Sequence, residues 1–361
     1  MDFELTDDQL ELQRVVRDVA ERECPPALVR EVVEKGVDPA GLWSTYVQLD
    51  WPSLCIPEAD GGMGFTAVEQ VLVLDELGRV ADPTPFLATT SQYAPLVREA
   101  FGADVRAELL GAVCAGSTGA AAYAADTVTA TPAGDGWTLS GQAAHVVDAD
   151  RAERIAVVAA TPDGPGVFVV EGVAAGATRE PSFDNSFHVA TLDLADAPVV
   201  HAAVGPDVAA AIERAHQEAV VGISAMTVGA SERIFELALG HLKDRRQFGV
   251  PIGSFQSLKH MAVDVYIAIE KARALAQFAG LVIAEDDPRR AIATAMAKAA
   301  AGDAQRIACQ HGIQFFGGLG YTWENDVQLY VRRAKTGELL FGSATSHRAS
   351  VARTTLAEVT A

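Results

Sequence analysis

The chain predicts a mainly α-helical fold with a β domain in the middle and a four-helix bundle at the C-terminal end. Three observations lead there. Apolar residues recur at helical spacing through the first third. Near residue 115 the pattern changes to alternating β-formers broken by turn residues. From about residue 206 the helical period returns and persists almost to the end, in long segments poor in Gly and Pro.

The first helix begins at a capping box, Thr6 with Gln9, followed by "LELQRVVRDVAERE". "ECPPALVR" interrupts it, with Pro26 suited to a first helical turn. A loop punctuated by Gly61, Gly62 and Gly64 then leads into "AVEQVLVLDELGRV", read as an amphipathic helix. "ADPTPFLATTSQYAPLVREAFG" reads as short helices separated by prolines. The β domain follows, with strands in "TVTATPAGDGWTLSGQAAHVVD", "AERIAVVAAT", "GVFVVEG" and "VATLDLADAPVV", and a turn at Gly134-Asp135-Gly136. Three long helices come next: one over about 206–246, one in "SLKHMAVDVYIAIEKARALAQFAGLVIAE", and one in "RRAIATAMAKAAAGDAQRIACQHGIQFFGG". In "DRRQFGVPIGSFQSLKH" the arginines and Gly249 read as the C-terminal end of the first of these.

Composition narrows the function. The 361 residues are 49% hydrophobic and 21% charged, which favours a folded globular protein of two or three domains. A formal net charge of −20 argues against broad binding to nucleic-acid phosphates and against a polybasic membrane site. Cys24, Cys55, Cys114 and Cys309 are far apart, as for reduced, packed thiols. The acidic start "MDFELTDDQL" lacks a leader pattern, and no run of apolar residues is long enough for a membrane span. A cytoplasmic protein is expected. The eight histidines show no paired ligand spacing, so no metal site is expected.

Four separated motifs carry a resemblance: "IPEADGGMGF…LDELGR", "DGWTLSGQ", "RRQFGVPIGSFQSLKH" and "QFFGGLGYTWEND". Together, and in this order, they resemble the acyl-CoA dehydrogenase family of flavoproteins nearly end to end. The resemblance implies an N-terminal α-helical domain (1–115), a middle β-barrel (116–204) and a C-terminal four-helix bundle (205–361), assembled as dimers or tetramers. It also implies FAD as cofactor and an acyl-CoA thioester as substrate. In the family, the Arg and Phe of R-x-x-F-G contact the FAD held by a neighbouring subunit, and these match Arg245 and Phe248. The Gln and a Gly of Q-x-x-G-G-x-G do the same, matching Gln314 and Gly318. A guanidinium suits a pyrophosphate, and glycine lets backbone N–H groups approach it. The alternative for "GGLGY" is a plain turn between helices.

The same resemblance exposes departures. The family's usual base is a glutamate that removes the α-proton, and an ungapped count from Arg332 or Arg348 puts Phe341 at its position. Some members carry the base on the first long bundle helix instead. Counting back from Arg245 reaches Ala219, so its neighbour Glu218 is the candidate, with a solvated glutamate as the competing reading. Glu338 is a third candidate, one helical turn before Phe341. The Trp/Phe-x-Thr that meets the flavin ring is matched by His145-Val146-Val147, so Val147 has no hydroxyl. His145 is placed to stack on the isoalloxazine or is a plain strand histidine. "TGAAAYAADT" stands where a longer flavin loop is usual.

Two functions follow from the resemblance. One is FAD-dependent α,β-dehydrogenation of an acyl-CoA in a homo-oligomer, with electrons passing to an electron-transfer flavoprotein. The other is a partner subunit of a heteromeric dehydrogenase, similar to those acting on steroid side-chain CoA esters, in which this chain completes the FAD site of the other chain in a heterotetramer.

Overall fold

The computed structural model describes residues 4–360; Met1–Phe3, which begin the acidic N-terminus, and Ala361 lie outside the described residues. In chain order the elements are α1 (Asp7–Glu23), α2 (Pro26–Lys35), α3 (Ala40–Gln48), α4 (Ala67–Arg79), α5 (Ala94–Ala100), α6 (Ala103–Cys114), then strands β1 (Gly119–Tyr123), β2 (Val128–Ala133), β3 (Gly136–Val147), β4 (Arg154–Thr161), β5 (Gly164–Glu171), β6 (Thr178–Arg179) and β7 (Val189–Ala203). After these come α7 (Val208–Asp244), the short strands β8 (Arg246–Gln247) and β9 (Val250–Pro251), and helices α8 (Gln256–Ala284), α9 (Arg290–Phe316), α10 (Val327–Leu339) and α11 (Ala344–Thr360). They form two compact units: Met1–Lys35, Ala67–Asp82 and Val220–Ala361 in one, Gly36–Thr66 and Pro83–Ala219 in the other.

The first unit is helical. Its α1 opens on the capping box: Thr6 Oγ1 accepts from Gln9 N, and Gln9 Oε1 accepts from Thr6 N. Helix α4 departs from its amphipathic reading, because nearly every residue from Val68 to Arg79 is buried, charges included. Those charges are buried in pairs. Arg17 bonds Glu76 at 2.7 Å, Arg79 bonds Glu236 at 2.5 Å, and Arg273 bonds Asp75 at 2.9 Å. A buried charge is tolerable only with such a partner. Two glycines allow the backbones to meet. A Cβ on Gly78 would stand 2.1 Å from the Met226 carbonyl, and one on Gly229 would stand 1.8 Å from that of Asp75. Small residues on α7 therefore serve close packing here. Among the described residues no helix is long and apolar enough to cross a membrane.

The second unit is built on a seven-stranded sheet in the order β1-β4-β2-β3-β7-β5, closed into a ring by the β4–β5 pairing, with β6 paired to β7. Alternate residues of the central strands serve two cores. Ile155, Val157, Phe168 and Val170 face the inside of the ring. Ala156, Val158, Val167 and Val169 pack outward against Leu96, Val97, Leu109 and Val113 of α5 and α6. Burial on both faces explains the unbroken apolar runs "IAVVAA" and "VFVV". The stretch expected as proline-separated helices is instead a π-helical turn, Ala88–Tyr93, running directly into α5. Pro95 follows directly on the π-helical turn, inside a continuous helical run to which it has no N–H to donate. All four cysteines are free thiols, with Cys24 buried and the others half-buried.

Candidate cofactor-facing site

Helix α7 ends at Asp244, and Gly249 does not cap it. Arg246 and Gln247 instead pair with Pro251 and Val250 in a small hairpin whose two-residue turn is Phe248–Gly249. Both turn residues have positive φ, +53° and +83°. That is the type I′ geometry, for which Asn-Gly is the favoured pair and a bulky residue in first place is strained. Phe248 occupies that place with 91% of its surface exposed, its ring edge-on to Phe255 at 6.2 Å between ring centroids. Arg245 is exposed as well, and no carboxylate among the described residues pairs with it.

The glycine-rich segment lies beside this hairpin. Helix α9 ends at Phe316 and is followed by a tight turn, Gly317–Tyr321, so the reading of "GGLGY" as a turn holds in part. Gly317 has φ +60°, and a Cβ on Gly318 would meet nothing within 4 Å, whereas Gly320 is tight against Ile313 O. Gln314 and Gly318 are exposed. A small apolar cluster holds the two motifs together: Ala238 and Leu242 of α7, Ile252 after the hairpin, and Phe315 and Phe316 of α9. The His241 ring packs on Phe316 at 4.8 Å, and burial together with the nearby Arg245 pushes its pKa down. A cavity of about 590 Å³ opens alongside, lined in part by His241, Asp244, Phe316 and Leu319. Arg245, Phe248, Gln314 and Gly318 are thus exposed residues on two segments of the helical unit that this cluster holds together.

Phe341 is half-buried just beyond the end of α10, with φ +56°, followed by Gly342 at +92°. Its carbonyl accepts from His347 Nε2 at 2.8 Å. Underneath, Lys298, 1% exposed, donates from Nζ to Gly337 O at 2.7 Å and Glu338 O at 3.0 Å, capping the end of α10. Burial lowers the Lys298 pKa to about 8. The Glu338 carboxylate is bonded to Lys335 at 2.8 Å and, although burial opposes it, this ammonium holds its pKa below the usual range. A depressed carboxylate is a poor proton acceptor.

In the other unit, Glu218 is mostly enclosed and its Oε1 accepts a short hydrogen bond from Arg98 Nη2. Arg98 also reaches Glu99, which bonds Arg214 at 2.9 Å. Neither the solvated glutamate nor an apolar, desolvated base describes it: the carboxylate is one member of a four-residue ion network. His145 and Val147 part company on β3. A register shift between Ala143 and Val146 puts His145 on a bulge at φ +61°, where its Nδ1 lies 3.0 Å from Glu180 Oε2. Val147 is buried, paired in register with Val189. The next residue, Asp148, is buried too, bonded to Arg151, with burial raising its pKa.

Two family descriptions match the chain: acyl-CoA dehydrogenase, N-terminal domain, over residues 6–117, and acyl-CoA dehydrogenase, C-terminal domain, over residues 209–356. The chain belongs to the acyl-CoA dehydrogenase family. Acyl-CoA dehydrogenases are oxidoreductases acting on CH–CH groups. The chain is 30% identical to "Acyl-CoA dehydrogenase IpdE2" of Mycolicibacterium smegmatis over 334 residues, 92% of this chain and 93% of that one. Among solved structures it is similar to "the ChsE4-ChsE5 complex from Mycobacterium tuberculosis", at 27% identity and a TM-score of 0.89, covering 98% of each chain. It is also similar to a "Tcur3481-Tcur3483 steroid ACAD" variant, at 28% identity and a TM-score of 0.88, covering 98% of this chain and 99% of that one.

For an acyl-CoA dehydrogenase, the groups present fit a flavin dinucleotide unevenly. On the helical unit an uncommitted guanidinium, an open glycine backbone and a bare aromatic ring are on offer, the right donor set for a pyrophosphate and a planar ring system. On the β unit, the imidazole of His145 is engaged by Glu180 and Val147 presents only buried alkyl groups. Reasoning from sequence missed His241 and Lys298. His241 was detectable, since it lies four residues before Arg245 and so one helical turn away. The lysine had no local signal: its partners are carbonyls 39 and 40 residues downstream.

Proposed function

We propose that this chain is a subunit of an FAD-dependent acyl-CoA dehydrogenase assembly, in which Arg245, Phe248, Gln314 and Gly318 complete the FAD site of a neighbouring protomer. The observation that carries the reading is the Phe248–Gly249 turn: a phenylalanine 91% exposed in a left-handed conformation, beside an unpaired arginine. An isolated chain gains nothing from that arrangement, whereas a neighbour's flavin would cover the ring and neutralise the cation. Bound FAD supplies the acceptor for the hydride leaving the β-carbon, and electron-transfer flavoprotein is the onward acceptor that membership of the family suggests. Within the assembly Arg245 would pair with the pyrophosphate, the Gly318 backbone would lie against it, and Gln314 would add a hydrogen bond.

Removal of the α-proton is assigned to the companion chain. Phe341 has no basic group, Glu338 is held ionised by Lys335, and Glu218 is held by Arg98. The two-chain names of the similar complexes support a heteromeric arrangement, and "steroid" in one of them suggests a bulky polycyclic acyl group. The test is FAD stoichiometry. Expressed alone, the chain should carry well under one FAD per protomer; co-expressed with a complete acyl-CoA dehydrogenase subunit, it should co-purify with FAD, which Arg245→Ala releases. A fully loaded, active oligomer of this chain alone would refute the reading.

A further inference from the structure

We propose that Arg30, on α2, is a positioning residue for the glycine-rich turn. With Glu34 and Trp323 it clamps the segment after Gly317–Tyr321, and so holds the Gly318 backbone where a neighbour's FAD would meet it. The inference rests on the FAD reading above and adds a residue that lies outside both motifs, 293 positions before Trp323. The turn needs such help because it has little core of its own. Of its five residues only Gly320 is buried, while Leu319 is 52% exposed and Tyr321 83%. Phe315 and Phe316 fix its near end in the apolar cluster described above. Its far end is joined toward α10 by isolated turn bonds, Thr322 N to Leu319 O at 3.2 Å and Asn325 N to Thr322 O at 3.3 Å. A segment of this kind opens locally at small cost.

The Arg30 guanidinium uses all three of its nitrogens. Nε donates to Asp326 Oδ1 at 2.7 Å, Nη2 to Trp323 O at 2.8 Å and Nη1 to Glu34 Oε1 at 3.3 Å. Glu34, one turn further along α2, accepts from Trp323 Nε1 at 2.6 Å. Arg30, Glu34 and Trp323 thereby close a ring of hydrogen bonds, and Arg332 of α10 stands over the Trp323 ring at 5.3 Å. The segment is gripped at two points, Trp323 and Asp326, by one planar fork that an ammonium cannot reproduce. The side chains of Arg30, Glu34 and Asp326 are 21%, 38% and 39% exposed, and ion pairs so open to water contribute little to overall stability. What directed bonds of this kind supply is place. A binding group has to sit within about 0.5 Å of its productive position, and Gly318 is only five residues from Trp323.

The experiment compares Arg30→Lys, Trp323→Phe and Arg245→Ala in the full chain. Amide hydrogen exchange over residues 317–324 and the urea midpoint are measured on the chain alone. The rate of FAD release is measured on the assembly with a complete acyl-CoA dehydrogenase subunit. Arg30→Lys should speed exchange over 317–324 about tenfold and FAD release about fivefold, while the urea midpoint and the exchange of α9 amides stay level. Trp323→Phe keeps a ring under Arg332 but has no N–H for Glu34, and should show the same pattern at about threefold. If Arg245→Ala speeds FAD release and Arg30→Lys does not, this proposal falls and the FAD reading stands. If neither variant changes FAD release, both fall. If the Arg30→Lys urea midpoint drops and α9 amides exchange faster to the same degree as 317–324, Arg30 is a stabilising residue only and the proposal is likewise overturned.

Discussion

Lys298 offers a sharp test of how the end of α10 is held. Its ammonium is 1% exposed, and its two hydrogen bonds go to carbonyls without formal charge. Burial therefore outweighs the favourable field of Glu338, and the pKa falls from the ordinary 10.5 to about 8. Below pH 8 both folded and unfolded chains hold the proton and stability carries the full burial penalty. Between pH 8 and 10.5 the unfolded chain still holds the proton while the folded one has lost it, so stability rises with pH. Linkage over that shift, at about 1.4 kcal/mol per unit, gives a gain of roughly 2 to 3 kcal/mol between pH 7 and pH 10. In Lys298→Met the titrating group is gone and this rise should be absent. Urea unfolding of parent and variant at pH 7, 8.5 and 10 measures it as a difference, in which every other titrating group cancels. Parallel curves for the two proteins would show that the lysine titrates normally and that its burial is not the controlling term.

Three further outcomes follow from geometry. Phe248→Asn should stabilise the chain on its own by about 1 kcal/mol, since asparagine tolerates the left-handed turn, yet weaken FAD retention in the assembly; chemical unfolding and flavin absorbance read the two effects. Glu218→Gln should leave turnover of the assembly within about threefold and lower thermal stability by roughly 1 to 3 kcal/mol, because Arg98 keeps Glu99 but loses its other carboxylate; loss of turnover with flavin intact would make Glu218 the base after all. Gly229→Ala should lower stability by about 3 kcal/mol or more, as the new methyl group would stand 1.8 Å from Asp75 O; unchanged melting would mean the helices separate freely there.

The helical bundle and the strand-rich middle were legible because each rests on a periodic signal: 3.6 residues along α7, α8 and α9, and two along β3 and β7. Helix α4 was misread as amphipathic for a physical reason. Its Glu76, Arg79 and Asp75 look like a solvated face, and only partners 59 to 198 residues away, Arg17, Glu236 and Arg273, make them a buried one. The π-turn at Ala88–Tyr93 was hidden for the opposite reason, since an apolar sequence with prolines reads as a break whether or not the chain stays helical through it. At the candidate site, Arg245, Phe248, Gln314 and Gly318 could be named from their motifs. What no motif conveys is that Phe248 stands exposed on a strained turn, or that Ile252 and Phe316 bring the two segments together.

In the assembly proposed above, the two halves of a shared cofactor site would answer to different physics, so that one can suit its task when the other does not. Groups offered outward to a neighbour need only stay exposed, uncommitted and correctly spaced; Arg245 and Gly318 are both exposed, on segments held by the cluster around Phe315. A base must be dry, close to its substrate and free of counter-ions. Glu218 is enclosed but not free, because Arg98 is bonded to it; Glu338 is bonded to Lys335; and Phe341, although clasped by His347 on a loop that Lys298 fixes from below, has no proton to exchange. Arg98 cannot be removed from Glu218 without leaving a buried charge short of a partner, an effect of several kcal/mol that no substrate α-carbon would offset. The loop at Phe341 asks for much less. Its backbone is already held in place, so Phe341→Glu adds a carboxylate there without first breaking an ion pair.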